Sequence, residues 1–142
     1  MNNLDEKHLE LINLWCKFWN ERKPEELVKI FTDNFIYEDV ATSTINKSKD
    51  ELISFMKSVY TTSPDIKWTI KNPFVKDNNG CTEWIMIGTQ TGPLKGGIPA
   101  TNKKFEIKGS SVFSFEGEKI KICSDYCDMM TLMKQIGLME KK

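Results

Sequence analysis

Three aspartates stand where strand ends could present acid/base chemistry to a cavity. Asp125 and Asp128 follow the last predicted strand, and Asp39 shares one face of an earlier strand with Phe35 and Tyr37. A carboxylate buried beside apolar groups has a raised pKa and can exchange a proton with a carbon next to a carbonyl. The sequence therefore nominates Asp128, Asp39 and Asp125 as candidate catalytic groups.

Two of these aspartates also have a purely structural explanation. Asp128 directly precedes Met129, so it can cap the final helix instead of reacting. Asp125 can face solvent or pair with one of the many lysines. A common cavity for Asp39 and Asp128 would favour catalysis, whereas opposite orientations would favour a protein that only binds.

Composition restricts the possible partners. The 142 residues carry 39% hydrophobic and 28% charged residues, which fits one domain spanning residues 1–142. Lysine plus arginine and aspartate plus glutamate both number 20, so the net charge is zero. A neutral domain lacks the attraction that drives binding to nucleic acid or anionic membranes. His8 is the only histidine and Arg22 the only arginine, which weakens mechanisms that need either type.

The cysteines and the chain's polarity indicate a protein without metal or cofactor. The four cysteines lack zinc-type spacing, and reduced, mostly buried thiols are the preferred interpretation. Residues 1–7 are polar and have no signal-peptide pattern, and no apolar run reaches membrane-spanning length. The sequence therefore predicts a soluble, cytoplasmic protein that uses no cofactor.

The first part of the chain has the spacing of three helices. Apolar residues recur at helical intervals over residues 5–22. Pro24 suits the first turn of a second helix, which is expected to run to about Phe31. Ser48 and Glu51 form a capping-box pattern at the start of a third helix.

The second part of the chain has the pattern of antiparallel strands. Apolar and polar residues alternate over residues 104–115, and Gly117-Glu118 separates them from a return strand. Asn79-Gly80 predicts a hairpin turn into a strand over Cys81–Thr91, and Gly92–Asn102 has the composition of a loop. Helices must cover the apolar face of such a sheet, so an α+β domain with one apolar cavity is expected.

These residues resemble the nuclear transport factor 2-like superfamily, and most closely its SnoaL-like polyketide cyclase and ester cyclase branch. The resemblance covers nearly the whole chain and is carried by Trp15 to Asp39, Glu83-Trp84, Gly88 to Pro93, Gly117 to Ile120, Asp125 to Asp128, and Gln135-Ile136-Gly137. It implies a cone-shaped, curved antiparallel sheet wrapped around the N-terminal helices, an α+β barrel with a pocket at its open end. Such proteins are usually homodimers, and apolar outer faces of the sheet suggest the interface.

The resemblance assigns a different role to each aspartate. Asp128 matches the acid/base aspartate that polyketide cyclases carry before Gln-Leu-Gly. Asp125 matches a catalytic aspartate of limonene-epoxide-hydrolase-like proteins, but the preceding long strand lacks the arginine that this chemistry needs. Asp39 stands where ketosteroid isomerases keep their proton-shuttling base.

The resemblance also nominates substrate-binding residues. Trp15 falls where the isomerases place an oxyanion-binding tyrosine, while Gln90 and Ser111 stand where some relatives carry histidines. Trp84 and Gln90 share strand parity and are expected to line the cavity, and Tyr37 shares the inward face of Asp39. Because glutamine cannot exchange protons at neutral pH, proton transfer is expected from the carboxylates.

The sequence is consistent with two functions. One is a cofactor-independent cyclase or isomerase that performs aspartate acid/base chemistry on a hydrophobic carbonyl compound. The other is a non-catalytic ligand-binding or dimerisation module of the same fold, which the missing histidines favour. The superfamily's fold does not by itself decide between them.

Overall fold

The computed structural model describes residues 2–139 and consists of helices packed against one sheet. The helices are α1 (Asn3–Asn20), α2 (Pro24–Leu27), α3 (Lys49–Thr62) and α4 (Met129–Gln135). A 3-10 turn, Val28–Ile30, follows α2. The strands are β1 (Phe31–Asp39), β2 (Thr44–Asn46), β3 (Lys67–Lys76), β4 (Asn79–Thr89), β5 (Lys104–Glu116) and β6 (Lys119–Cys127).

The six strands form a curved sheet in the order β2-β1-β6-β5-β4-β3, with the helices against it. The predicted α+β class, with a curved sheet packed against helices, is therefore confirmed. Two details differ from the expectation. The sheet does not close into a barrel, and it is mixed because β1 and β6 run parallel. The short strand β2 was not predicted, since three residues give too little alternation to detect.

Helix α1 supplies much of the core. The Asn2 side chain accepts a hydrogen bond from the Asp5 amide at 2.7 Å, which caps the first turn. The predicted apolar stripe is buried and includes Leu11, Ile12, Trp15 and Trp19. Burying large aromatic and aliphatic side chains is the main favourable term in packing α1 on the sheet.

The second predicted helix is shorter than expected. It ends at Leu27, because the chain passes through one 3-10 turn and enters β1 at Phe31. Phe31 is fully buried and pairs with Ile120 of β6, so sheet pairing outweighs helical propensity there. The third helix agrees with its prediction, since Ser48 Oγ accepts from the Glu51 amide at 3.1 Å.

The first hairpin turn lies two residues before the predicted position. Asp77 and Asn78 form it, with φ values of 51° and 64°, and Asn79 already pairs with Lys76. Aspartate and asparagine tolerate the left-handed region that this turn requires. Gly80 instead lies inside β4, where an added Cβ would stand 3.0 Å from the Phe115 ring. Its small size therefore serves close packing and not a turn.

The last two strands follow the predicted pattern and determine the position of the candidate site. They turn at Gly117, which has a φ of 59°. In the resulting register Asp125 pairs with Ser111 on β5 and with Asp39 on β1. Side chains paired across neighbouring strands point to the same face, so these three residues converge on the inner face of the sheet.

Candidate functional site

A cavity of about 940 Å³ lies between α3, α4 and the inner face of the sheet. The loop that follows β4 forms part of its rim. Most of its lining is apolar, and its aromatic members are Trp19, Phe55, Trp68, Trp84 and Phe105. Its acidic members are Asp39, Asp50, Glu51 and Asp125. The cavity is large enough for a polycyclic organic molecule.

Asp125 lies on the cavity wall near the end of β6 and is held by hydroxyl donors. Tyr37 Oη donates to Asp125 Oδ2 at 2.8 Å, and Ser111 Oγ donates to Asp125 Oδ1 at 2.6 Å. The Cys123 thiol adds a weaker contact to Oδ1 at 3.6 Å. The expectation that Asp125 faces solvent or pairs with a lysine is wrong. The carboxyl is fixed in one orientation and keeps part of its surface toward the cavity.

Two indoles determine the direction of the Tyr37 hydrogen bond. Trp15 Nε1 and Trp19 Nε1 both donate to Tyr37 Oη, each at 3.0 Å. An indole N–H can only donate, so both acceptor positions of the phenol oxygen are filled. The phenol hydrogen is then left for Asp125. Helix α1 thus controls the proton arrangement at a carboxyl on β6.

A third indole acts in the same way on Ser111. Trp84 Nε1 donates to Ser111 Oγ at 2.9 Å, and Ser111 in turn donates to Asp125. Gly109 makes room for the indole, because a Cβ there would overlap the Trp84 ring and the Tyr126 carbonyl. Three tryptophans therefore direct two hydroxyl hydrogens onto one carboxyl. This arrangement favours the carboxylate form of Asp125.

Burial opposes the carboxylate form of Asp125 and brings its pKa close to neutral pH. Removal from water raises its pKa to about 6, while the hydrogen bonds from Ser111 and Tyr37 limit the rise. The negative charge of Asp39 on the neighbouring strand raises the pKa further. A carboxyl with a pKa near 6 is populated in both protonation states around neutral pH.

Asp39 also lines the cavity, as its predicted face requires. Burial raises the pKa of its carboxyl, and hydrogen bonds from the Thr42 side chain and from the Ala41 and Thr42 amides partly offset this. Phe35 and Tyr37 on the same face are almost fully buried. Asp39 and Asp125 thus form a carboxylate pair on one wall.

Asp128 does not join this pair. Its side chain is exposed and caps α4, accepting from the Thr131 amide at 3.1 Å and the Thr131 hydroxyl at 2.6 Å. These hydrogen bonds lower the pKa of the Asp128 carboxyl. The residue does not line the cavity. Its position matches the capping explanation, so Asp125 replaces Asp128 beside Asp39.

The five predicted substrate-binding residues occupy different positions. Trp84 lines the cavity, but Trp15, Tyr37 and Ser111 lie behind the wall, with their polar atoms used in the network around Asp125. Gln90 also lines the cavity. Its amide is engaged with the rim loop, donating to Gly92 and Pro99 carbonyls and accepting from Thr101. It therefore fixes the loop.

The lone histidine belongs to the core. His8 is fully buried, and its Nε2 donates to the Gly117 carbonyl at 2.8 Å. Its ring stacks on Phe115 with centroids 4.1 Å apart. His8 ties α1 to the β5–β6 turn and lies outside the cavity lining.

The cysteines are free thiols. Cys127 lines the cavity, but burial and then the charges of Asp39, Asp125 and Asp128 raise the pKa of its thiol to about 12. A thiol with that pKa is a poor nucleophile near neutrality. Within residues 2–139, no three histidine, cysteine, aspartate or glutamate side chains are grouped to hold a metal ion.

Several cavity residues were not singled out from the sequence. Trp19, Phe55 and Val59 belong to apolar helix stripes and line the cavity. Like Trp84, Trp19 also donates into the Asp125 network. Helical spacing marks such residues as buried without separating core from cavity wall. The signal that could have found Trp19 is its indole N–H, since a buried indole requires an acceptor.

Comparison with known proteins decides the family. The SnoaL-like polyketide cyclase profile matches residues 10–136, which is most of the chain. The chain belongs to the SnoaL-like polyketide cyclase family. The match includes all three aspartates, the aromatic cavity wall and the helix that carries Trp15 and Trp19. No curated protein matches the sequence.

Solved structures share the fold of this SnoaL-like protein at low identity. A protein from Jannaschia sp. CCS1 assigned as a SnoaL-like polyketide cyclase has a TM-score of 0.88 at 13% identity, covering 99% of this chain and 98% of its own. AclR from Streptomyces galilaeus, assigned as a hydroxylase, has a TM-score of 0.83 at 15% identity, covering 99% and 86%. TsrD from Streptomyces laurentii has a TM-score of 0.83 at 19% identity, covering 98% and 99%. These likenesses establish the fold and leave the chemistry to the site.

Proposed function

We propose that this SnoaL-like protein is a cofactor-independent cyclase or isomerase in which Asp125 is the acid/base. The observation that supports it most is a carboxyl with a pKa of about 6 on the wall of a largely apolar cavity. Two hydroxyl donors fix its orientation. Asp128 caps α4 outside the cavity, which by itself favours a binding module, but Asp125 lies beside Asp39 on the cavity wall in its place. A binding module without catalysis gives no reason for three indoles to orient the donors to that carboxyl.

The proposed chemistry moves one proton and needs no redox partner. The Asp125 carboxylate removes a proton from a carbon next to a carbonyl. The electron pair of the broken C–H bond is delocalised onto the carbonyl oxygen, which gives the enolate. In isomerisation the carboxylic acid returns the proton to another carbon of the conjugated system. In cyclisation the enolate carbon forms a C–C bond with a second carbonyl, and the new alkoxide takes the proton. Either route regenerates the carboxylate.

The cavity supplies what this step requires. Apolar and aromatic walls hold a hydrophobic carbonyl compound and exclude water, which strengthens the electrostatic interactions inside. The network behind the wall keeps the carboxyl from rotating, so its free lone pairs stay directed at the substrate. The Asp39 charge increases the basicity of Asp125.

Proton exchange with a neutral cyclic ketone tests the proposal without knowledge of the substrate. We expect the protein to accelerate deuterium incorporation next to the carbonyl of 2-tetralone in D₂O, followed by NMR. The rate should rise with pH through about 6, because the base is the deprotonated Asp125. A rate equal to that of buffer at every pH would contradict an acid/base role.

We also propose that the protein forms a homodimer through the outer face of its sheet. Ile36, Val112 and Tyr126 lie on the central strands β1, β5 and β6, on the face opposite the core, and are 37%, 44% and 46% exposed. Light scattering is expected to give twice the chain mass of 16.4 kDa, and Val112→Glu should shift the mass to that of one chain. One-chain mass for the unmodified protein would refute it.

We propose a cytoplasmic location because the cysteines are free thiols. All four cysteines are free, which suits a reducing compartment. No helix within residues 2–139 is long and apolar enough to cross a membrane.

A further inference from the structure

We propose that the ligand of the cavity is an apolar compound with a positively charged nitrogen, either a protonated amine or a quaternary ammonium. The nitrogen is bound beside Asp39, and the apolar body lies against the aromatic wall. This inference rests on the proposed function because it uses the same cavity as the substrate site. It adds a charged recognition element, which the acid/base role of Asp125 does not require.

The carboxylates on the cavity wall have no cationic partner among residues 2–139. Asp39 and Asp125 are paired in register on the adjacent strands β1 and β6. The four ion pairs within residues 2–139 all join other side chains. Two acids withdrawn from water side by side are costly unless a positive charge compensates them. A ligand that supplies this charge would gain the most binding energy from the pair.

The aromatic wall is the second, independent feature suited to a cation. The rings of Trp19 and Trp68 are tilted by 58° with centroids 4.7 Å apart, and both border the cavity. Trp84 borders it as well and is linked through Ser111 to Asp125. Indole faces bind ammonium groups better than other aromatic rings do, and carbon-substituted ammonium groups lose little hydration there. The wall therefore suits the apolar shell of a substituted ammonium group.

The charges at the rim act in the same direction. Asp50 and Glu51, in the first turn of α3, line the cavity together with Asp39 and Asp125. Lys95 on the rim loop is the single cationic side chain among the described lining residues. Four acids against one lysine give the cavity a negative potential, which attracts cations and disfavours carboxylate or phosphate ligands. Charge and shape thus select an amine and exclude acidic compounds.

The placement leaves Asp125 free for proton transfer. Asp39 ends β1 and pairs with Thr44 of the short strand β2, whereas Asp125 is held by Tyr37 and Ser111 from behind. A nitrogen at Asp39 would direct the neighbouring carbonyl carbon toward Asp125. The inferred substrate class is therefore an apolar amino-carbonyl compound.

A matched pair of probes tests the charge preference. We expect 4-(trimethylammonio)phenol to bind about tenfold tighter than its neutral isostere 4-tert-butylphenol at pH 7, where both phenols are protonated, measured by calorimetry and by tryptophan fluorescence. The two molecules have the same shape and differ in one charge. Asp39→Asn should reduce this ratio to about twofold, whereas Glu38→Gln, a neighbouring acid outside the lining, should leave it unchanged.

A second variant covers the case in which Asp39→Asn fails to fold. Asp50→Asn, at an exposed position on the rim, should lower the ratio about twofold. Equal affinity of the two probes, tighter binding of the neutral one, or no binding of either would each overturn the inference. None of these results bears on 2-tetralone exchange, which uses a neutral probe, so the acid/base proposal is judged separately.

Discussion

Replacing Asp125 with asparagine is expected to reduce deuterium exchange into 2-tetralone by about 10²- to 10⁴-fold, the usual contribution of a positioned acid/base group. Asparagine is nearly isosteric but cannot accept the substrate proton. Because Tyr37 and Ser111 both direct hydrogens at this position, the asparagine amide can satisfy one of them well and the other poorly. The measurement is the initial exchange rate at pH 7.

Asp128→Asn is the matched control for this experiment. It makes the same chemical change three residues later, and asparagine caps helices as well as aspartate does. The exchange rate of this variant should stay within about twofold of the unmodified protein, since Asp128 is exposed outside the cavity. A loss of exchange in Asp128→Asn, with activity retained in Asp125→Asn, would return the acid/base role to Asp128.

The stability of the folded protein is expected to fall as pH rises through about 6, owing to Asp125. Its folded-state pKa of about 6 lies above the value near 3.9 of an unfolded chain. The folded state therefore holds this proton more tightly, so its stabilising contribution is complete below about pH 4 and is lost as pH passes 6. The size is on the order of 2 kcal/mol in the free energy of unfolding.

Urea unfolding at pH 4 and pH 7.5 measures this loss. Asp39, whose pKa is also raised, changes stability in the same direction, while Asp65 and Asp128, whose pKa values are lowered, act oppositely. The informative quantity is thus the difference in the free energy of unfolding between the unmodified protein and Asp125→Asn. That difference should change by about 2 kcal/mol between the two pH values. A pH-independent difference would mean that the Asp125 pKa is ordinary.

Local sequence patterns predicted many of the helices and strands. Strand alternation places Phe105, Ile107, Ser111 and Phe113 on the buried face, and all four are buried. The capping box at Ser48 begins a helix as expected. These features depend on neighbours within a few positions, where propensity and periodicity are strong signals. The family resemblance, confirmed by the profile match, supplied the overall architecture.

Features that depend on distant contacts were less predictable. The parallel pairing of β1 with β6 joins residues more than eighty positions apart, and no local pattern encodes it. The grouping of Asp39 with Asp125, and not with Asp128, was missed for the same reason. Asp128 lies one residue before a helix, which is a local signal. The environment of Asp125 depends on donors from β1 and β5, and on the indole of α1 that orients the donor from β1.

The indole network also lies beyond sequence reasoning. Trp15, Trp19 and Trp84 are recognisable as buried aromatic residues, but their N–H partners appear only when α1 packs across the sheet. Gly109 permits this packing by making room for the Trp84 ring. The influence of these tryptophans on the pKa of Asp125 thus depends on tertiary contacts.

A carbon-13 NMR titration measures the pKa of the Asp125 carboxyl directly. Aspartate is labelled at Cγ, and the Asp125 signal is assigned by its absence in Asp125→Asn. We expect a titration midpoint near pH 6, because burial and the charge of Asp39 outweigh the hydrogen bonds from Ser111 and Tyr37. A midpoint at or below about pH 4, the ordinary value for aspartate, would contradict it.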